Sequence, residues 1–199
     1  KFNADGVPAT WKDARELIAT NSNSGNASVV FHITNQTVNS FIENESFHLI
    51  VVPGFIASDT NGVTTTLGRG GSDYTAAILA AAIDASSLEI WTDVSGMMTA
   101  DPRWVSTAKI IPSISYQEAM ELSHFGAKVI YPPTIQPVLN KNIPVWIKNT
   151  FSPNDDGTVI EHKPKQGNII TGISSINSLA LLNLEGSGMV GIPGFSSRL

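Results

Sequence analysis

Short apolar runs, separated by polar and glycine-rich stretches, set the pattern of the first half of the chain. Residues 27–34 (ASVVFHIT) and 48–53 (HLIVVP) are rich in β-branched and aromatic side chains and predict strands; residues 21–26 (NSNSGN) predict a loop. Residues 62–67 (GVTTTL) predict another strand, which runs into a glycine-rich turn at 68–73 (GRGGSD). Residues 74–83 then read as a helix. Ser72 is its expected N-cap, and Asp73 stands in its first turn, where a negative charge suits the helix dipole. No charged residue occurs between Asp73 and Asp84. A helix apolar all round is expected to be buried on most sides, here against a sheet.

Residues 88–92 (LEIWT) predict a strand ending at Asp93. Ser115 and Glu118 fit a capping box that opens a helix over 116–125, with Gly126 as its stop. Pro132 and Pro133 suit the first turn of a helix running to about residue 140. Residues 145–148 predict a further strand. This alternation implies an α/β domain in layers, with a largely parallel sheet sandwiched by helices. The polar, turn-rich stretches 152–157 and 161–168 mark the expected domain boundary. Beyond it, residues 169–184 are β-rich, 186–194 form a glycine-rich loop, and Leu199 falls where a helix is expected to begin. That pattern is expected of a piece of a longer chain.

Composition narrows the function classes. Of 199 residues, 42% are hydrophobic and 15% charged, enough to bury a sizeable core. A net charge of −5 with no basic run argues against a nucleic-acid binder and requires any phosphate site to be local. Without cysteine there is neither disulfide framework nor thiolate metal site. The opening KFNADG lacks the apolar core of a signal peptide, and no run approaches the ~18 apolar residues of a membrane span. The expectation is a soluble, cytoplasmic protein whose sequons at Asn26, Asn35 and Asn44 stay unmodified. His32, His48, His124 and His162 show no metal-ligand spacing, and no protein-held metal site is expected.

The loop at 68–73 is the first candidate for chemistry. A glycine-rich strand-to-helix turn exposes backbone N–H groups at the positive end of a helix dipole, which suits phosphate or carboxylate. Arg69 adds a planar fork able to grip a carboxylate twice. Equally, the glycines could serve only a tight turn. A dinucleotide fingerprint fails because its third glycine position is Asp73, although Asp93 lies at about the ~20-residue spacing of that motif's acidic residue. The phosphate-loop pattern ending in Gly-Lys-Ser/Thr is absent. Thr92 and Asp93 close a strand, where ligand-facing residues gather, and Asp101-Pro102-Arg103 follow in a loop. Lys128 taken alone reads as a surface lysine lying along apolar neighbours.

In series these pieces are more specific. Residues 67–77 (LGRGGSDYTAA), 89–103 (EIWTDVSGMMTADPR), 115–132 (SYQEAMELSHFGAKVIYP) and 143–150 (IPVWIKNT) resemble, in order and spacing, the aspartate kinases of the amino acid kinase family. The wording AMELSHFGAKV and GSGMVGIPGF is most similar to the bifunctional aspartokinase/homoserine dehydrogenases. The tail from residue 169 resembles the opening of an ACT regulatory module. The resemblance divides the chain into a C-terminal portion of a kinase domain (1–160), a linker (161–168) and a truncated ACT module (169–199).

The resemblance also implies roles. Phe55, Arg69, Gly70, Gly71 and Ser72 would form the aspartate pocket, with Arg69 the clamp on a carboxylate and Asp73 the catalytic aspartate. Thr92, Asp93, Met98, Arg103, Lys128 and Val129 would contact ATP, which arrives with Mg2+. Met189, Ile192, Gly194, Phe195 and Ser196 would meet an amino-acid effector, threonine or lysine. A homo-oligomer is implied, with neither nucleic acid nor membrane as partner. Two positions depart from the family: Met98 stands where a tyrosine is common, and Tyr131 replaces the histidine of a His-Pro pair. The family's Lys-Phe-Gly-Gly and Ser-x-Gly-Glu motifs do not occur, so this stretch alone is expected to be inactive. The implied reaction transfers the γ-phosphoryl group of ATP to L-aspartate. Alternatives are a kinase for another small amino acid, or a non-catalytic amino-acid-sensing subunit.

Overall fold

The computed structural model describes residues 1–43, 49–124, 129–164, 169–176, 178 and 180. Nine strands and four α-helices occur among them, beginning with β1 (Thr10–Trp11), β2 (Ala19–Thr20) and α1 (Phe31–Glu43). Then come β3 (Ile50–Val51), β4 (Ile56–Asp59), β5 (Thr64–Thr66), α2 (Gly71–Ala82) and β6 (Leu88–Thr92). The C-terminal elements are β7 (Ser113–Ser115), α3 (Tyr116–His124), α4 (Gln136–Leu139), β8 (Val145–Asn149) and β9 (Thr158–Glu161). A 3-10 turn at Pro132–Ile135 leads directly into α4.

The strands form three sheets in the orders β1-β3, β2-β4-β5 and β6-β8-β9-β7. β1 with β3, β2 with β4, β6 with β8 and β7 with β9 pair in parallel, while β4–β5 and β8–β9 are antiparallel. The parallel expectation therefore holds for most pairings, but across three sheets and not one. β6 and β8 are in register over their whole length, Leu88 opposite Val145 and Thr92 opposite Asn149.

Helix α2 explains how the halves cohere. Ala77 and Ala80 pack with Leu88, Ile90, Val145, Ile147 and Ile160 of the four-stranded sheet. Ile78 and Ala82 pack instead with Leu17, Ile18, Val38, Ala57 and Leu67. The helix serves two cores, which is why its sequence has no charged face. Each fully buried Ile removes apolar surface worth about 1.5–3 kcal/mol.

Three expectations change. Residues 27–34 do not form a strand: only Val29 bridges to Thr20, and α1 begins at Phe31. Thr34 and Val38 are buried with Phe41 and Ile42 packed beside them, a helical spacing that appears only when the window runs past residue 34. Ser72 is not the N-cap. Gly70, at φ 68°, takes that place without a side-chain cap, because glycine can turn the chain straight into the helix two residues earlier. β9 follows a polar turn that read as boundary, and residues 169–176 contain no strand.

Other expectations stand. Ser115 and Glu118 form the capping box, the Glu118 carboxylate accepting from the Ser115 N–H at 3.0 Å while the Ser115 hydroxyl accepts from the Glu118 N–H at 3.2 Å. Gly126, the expected stop of α3, and residues 177, 179 and 181–184 of the β-rich stretch lie outside the described residues.

Candidate active site

The first group of site residues is built by two loops that meet at the start of α2. After β5 the backbone turns through Gly68 (φ 74°) and Gly70 (φ 68°), and the Gly71 N–H donates to the Gly68 carbonyl at 3.1 Å. The second loop, Gly54-Phe55, lies against it. A Cβ at Gly54 would stand 2.9 Å from Ser72 Cα, so glycine is what allows this approach. Phe55 is held in the left-handed region at φ 78°, and the residue is 42% exposed. For an aromatic residue that conformation costs about 1–3 kcal/mol, and such strain gathers at functional sites. Its N–H donates to Thr75 Oγ1 at 3.0 Å, and the Thr75 hydroxyl donates to the Gly71 carbonyl at 2.9 Å. Thus Phe55, Arg69, Gly70, Gly71 and Ser72, gathered from two separate stretches, are neighbours.

Arg69 is exposed, and its guanidinium carbon lies 5.0 Å from the centre of the Tyr131 ring. Asp73, in the first turn of α2, is half-buried, and burial pushes its carboxyl pKa above the ordinary value. The helix dipole favours the charged form there; burial outweighs it.

The second group surrounds a cavity of about 440 Å³ at the C-terminal end of β6. Thr92, Asp93, Met98, Arg103 and Val129 all line it. Met98 and Val129 offer apolar walls, and the Thr92 hydroxyl donates to Asp93 Oδ1 at 3.1 Å. Arg103 is held by Asp101, with Nε 3.0 Å from both carboxylate oxygens and a second nitrogen 2.6 Å from Oδ2. The Arg103 guanidinium draws the Asp101 carboxyl below its usual range, and the carboxylate raises Arg103. Lys128, Met189, Ile192, Gly194, Phe195 and Ser196 lie outside the described residues.

Ile173, Ser174 and Ser175 also line this cavity, a contribution unread in the sequence. The Ile173 N–H donates to the Thr99 carbonyl at 2.8 Å, and the Thr171 hydroxyl donates to Glu118 at 2.6 Å, which lays this stretch along the cavity wall. Contacts across more than fifty residues leave no local signal. Among the described residues no group of three or more His, Asp or Glu side chains could hold a metal ion. No helix among them is long and apolar enough to cross a membrane.

The two groups adjoin. Val129 lines the cavity and Tyr131 meets Arg69, with buried Ile130 between them. Two residue steps span at most about 7 Å of backbone.

Comparison with known proteins places this arrangement. A bifunctional aspartokinase/homoserine dehydrogenase 2 (chloroplastic) of Zea mays is 40% identical over 200 residues, covering 98% of this chain and 22% of that protein. The chain thus spans about a fifth of that relative's length. A crystal structure of E. coli aspartokinase III in complex with aspartate and ADP (R-state) matches with a TM-score of 0.78 and 40% identity, over 86% of this chain and 38% of that one. A second, of E. coli aspartokinase III in complex with lysine and aspartate (T-state), matches at 0.74 and 42%, over 81% and 37%. The model of the amino acid kinase family matches residues 1–149, and with the mixed α/β fold and aspartokinase relatives along nearly the whole sequence, the chain belongs to that family.

Proposed function

We propose that this chain carries the acceptor loop and the nucleotide cavity of an aspartate kinase, which transfers the γ-phosphoryl group of ATP to the β-carboxylate of L-aspartate. The observation that carries the reading is the adjacency of Arg69 and the cavity through Val129-Ile130-Tyr131. A carboxylate gripped beside one end of a nucleotide cavity is what in-line transfer between two anions requires. That aspartate and ADP occupy the E. coli relative adds support.

In this reading a β-carboxylate oxygen attacks the γ-phosphorus. The bond from that phosphorus to the bridging oxygen breaks, and ADP leaves with the electron pair. Arg69 grips a carboxylate of the acid, and the N–H groups at the start of α2 add positive potential. Asp73 orders the basic groups around the transferring phosphate. Thr92 and Asp93 face the nucleoside, Met98 and Val129 pack on it, and Arg103 and Lys128 offset phosphate charge. Among the described residues the donor set suits a magnesium ion carried in on the triphosphate, mostly water-ligated and neutralising phosphate charge, better than one caged by protein.

The proposal extends to organisation. Residues 1–160 form the kinase portion, 161–168 the linker and 169–199 the opening of an ACT module. Met189, Ile192, Gly194, Phe195 and Ser196 there would meet threonine or lysine, in a cytoplasmic homo-oligomer. Pairing of β9 with β7 and β8 keeps the chain in the kinase sheet as far as Glu161, one residue past the first boundary, and the lysine complex of the E. coli relative supports an amino-acid effector.

The test is Arg69→Ala in the natural full-length protein. Losing a charged, two-pronged grip on the acid predicts a rise in aspartate KM of about tenfold or more, with ATP KM nearly unchanged. An unchanged aspartate KM would remove Arg69 from the pocket.

A further inference from the structure

The ring of Tyr131 lies under the guanidinium of Arg69 although the two residues are 62 positions apart, and both are fixed by elements packed against each other. Tyr131 stands immediately before the 3-10 turn Pro132–Ile135, at φ −91° and ψ 109°. Its carbonyl accepts from both the N–H (2.9 Å) and the hydroxyl (2.6 Å) of Thr134, which is 2% exposed. The backbone at Tyr131 is therefore pinned, while its side chain makes no capping bond. Gly70 lets this turn approach the acceptor loop: a Cβ there would meet Thr134 Cγ2 at 2.7 Å and Tyr131 Cβ at 3.2 Å. The missing side chain at position 70 makes room for the ring beside Arg69.

We infer that Tyr131 is a positioning residue that holds the Arg69 guanidinium in place to receive the acceptor's carboxylate; this rests on the proposed acceptor role of Arg69. An exposed arginine samples many rotamers, and fixing it when substrate binds costs conformational entropy. A π face 5.0 Å from the guanidinium attracts the cation and lowers that cost beforehand. A guanidinium that lies flat on a ring keeps its N–H edge free for two parallel bonds to a carboxylate. The attraction needs an aromatic ring and not the phenol hydroxyl, which separates this role from hydrogen bonding to substrate. A tyrosine at this departure from the family pattern thereby acquires a function.

The experiment measures KM for aspartate and for ATP, kcat and Tm in the natural full-length protein for Tyr131→Phe, Tyr131→Leu, Arg69→Ala and the Arg69→Ala/Tyr131→Leu double variant. Tyr131→Leu is expected to raise aspartate KM about two- to fivefold, the range for a lost exposed cation–π contact, with ATP KM and kcat close to wild type. Tyr131→Phe should match wild type, and in the Arg69→Ala background Tyr131→Leu should add nothing. If Tyr131→Leu folds poorly, Tyr131→Met fills similar space without a π face and carries the same expectation. An equal increment in the presence and absence of Arg69, or no change in aspartate KM with Tyr131→Leu, overturns the inference while leaving the acceptor role of Arg69 intact. No effect of Arg69→Ala on aspartate KM overturns both.

Discussion

Replacing Gly70 by alanine tests whether the acceptor loop is built by close approach or by backbone freedom alone. Two penalties meet at this residue. At φ 68° an L side chain sits in the left-handed region, which costs about 1–2 kcal/mol. The new Cβ would also stand 2.7 Å from Thr134 Cγ2 and 3.2 Å from Tyr131 Cβ, and Thr134 is buried, so the 3-10 turn or α2 must shift. Overpacking of that kind costs about 1–3 kcal/mol more. Gly62 is the control: its φ is 79°, and nothing lies within 4 Å of its Cβ position. Gly62→Ala should carry only the first penalty. Urea unfolding of both variants should show Gly70→Ala the less stable by about 1–3 kcal/mol, or about 2–12 °C in Tm for a chain of this size. Equal losses would mean that the turn does not press on Gly70, and the geometry behind the Arg69–Tyr131 stack would be wrong.

Two carboxyl groups give opposite pH signatures. Asp73 has a raised pKa through burial, so the folded state holds its proton more tightly than the unfolded state, and its contribution falls as pH rises above the ordinary aspartate range. Against Asp73→Asn, the wild-type urea midpoint should therefore slip progressively between acid and neutral pH; a constant difference would contradict the assignment. Glu118 is lowered by hydrogen bonds from the Ser115 hydroxyl, the Thr171 hydroxyl and the Ser115 N–H. Its contribution is present above the ordinary glutamate range and lost as pH falls through the folded value, so the wild-type advantage over Glu118→Gln should shrink on acidification.

What could be read without the structure follows from locality. Helix α2 was legible because its uncharged surface directly reflects service in two cores. Strand β6 was legible at its full extent, its buried Leu88 and Ile90 alternating with exposed Glu89 and Trp91. The stretch at 27–34 misled because its β-branched residues open a helix whose period shows only with Val38, Phe41 and Ile42. Strands of two residues, such as β1 and β2, carry no readable period. In the site, loop 68–73 was legible as one contiguous segment. The residues expected to contact nucleotide and described here, from Thr92 to Val129, line one cavity. The stack of Tyr131 on Arg69 and the Ile173–Ser175 wall are contacts between distant positions, set by packing and invisible to spacing.

In the proposed function the acid held at the Arg69 loop is aspartate, and it receives a phosphoryl group. The most direct test is trapping of acyl phosphate as hydroxamate by the natural full-length protein, with ATP, Mg2+ and separately L-aspartate, L-glutamate and N-acetyl-L-glutamate. One methylene in a fitted pocket discriminates by roughly 10–200-fold, so kcat/KM for aspartate should exceed that for glutamate by at least about tenfold. Preference for glutamate or for the acetylated acid, or the absence of any acid-dependent product, would contradict the account.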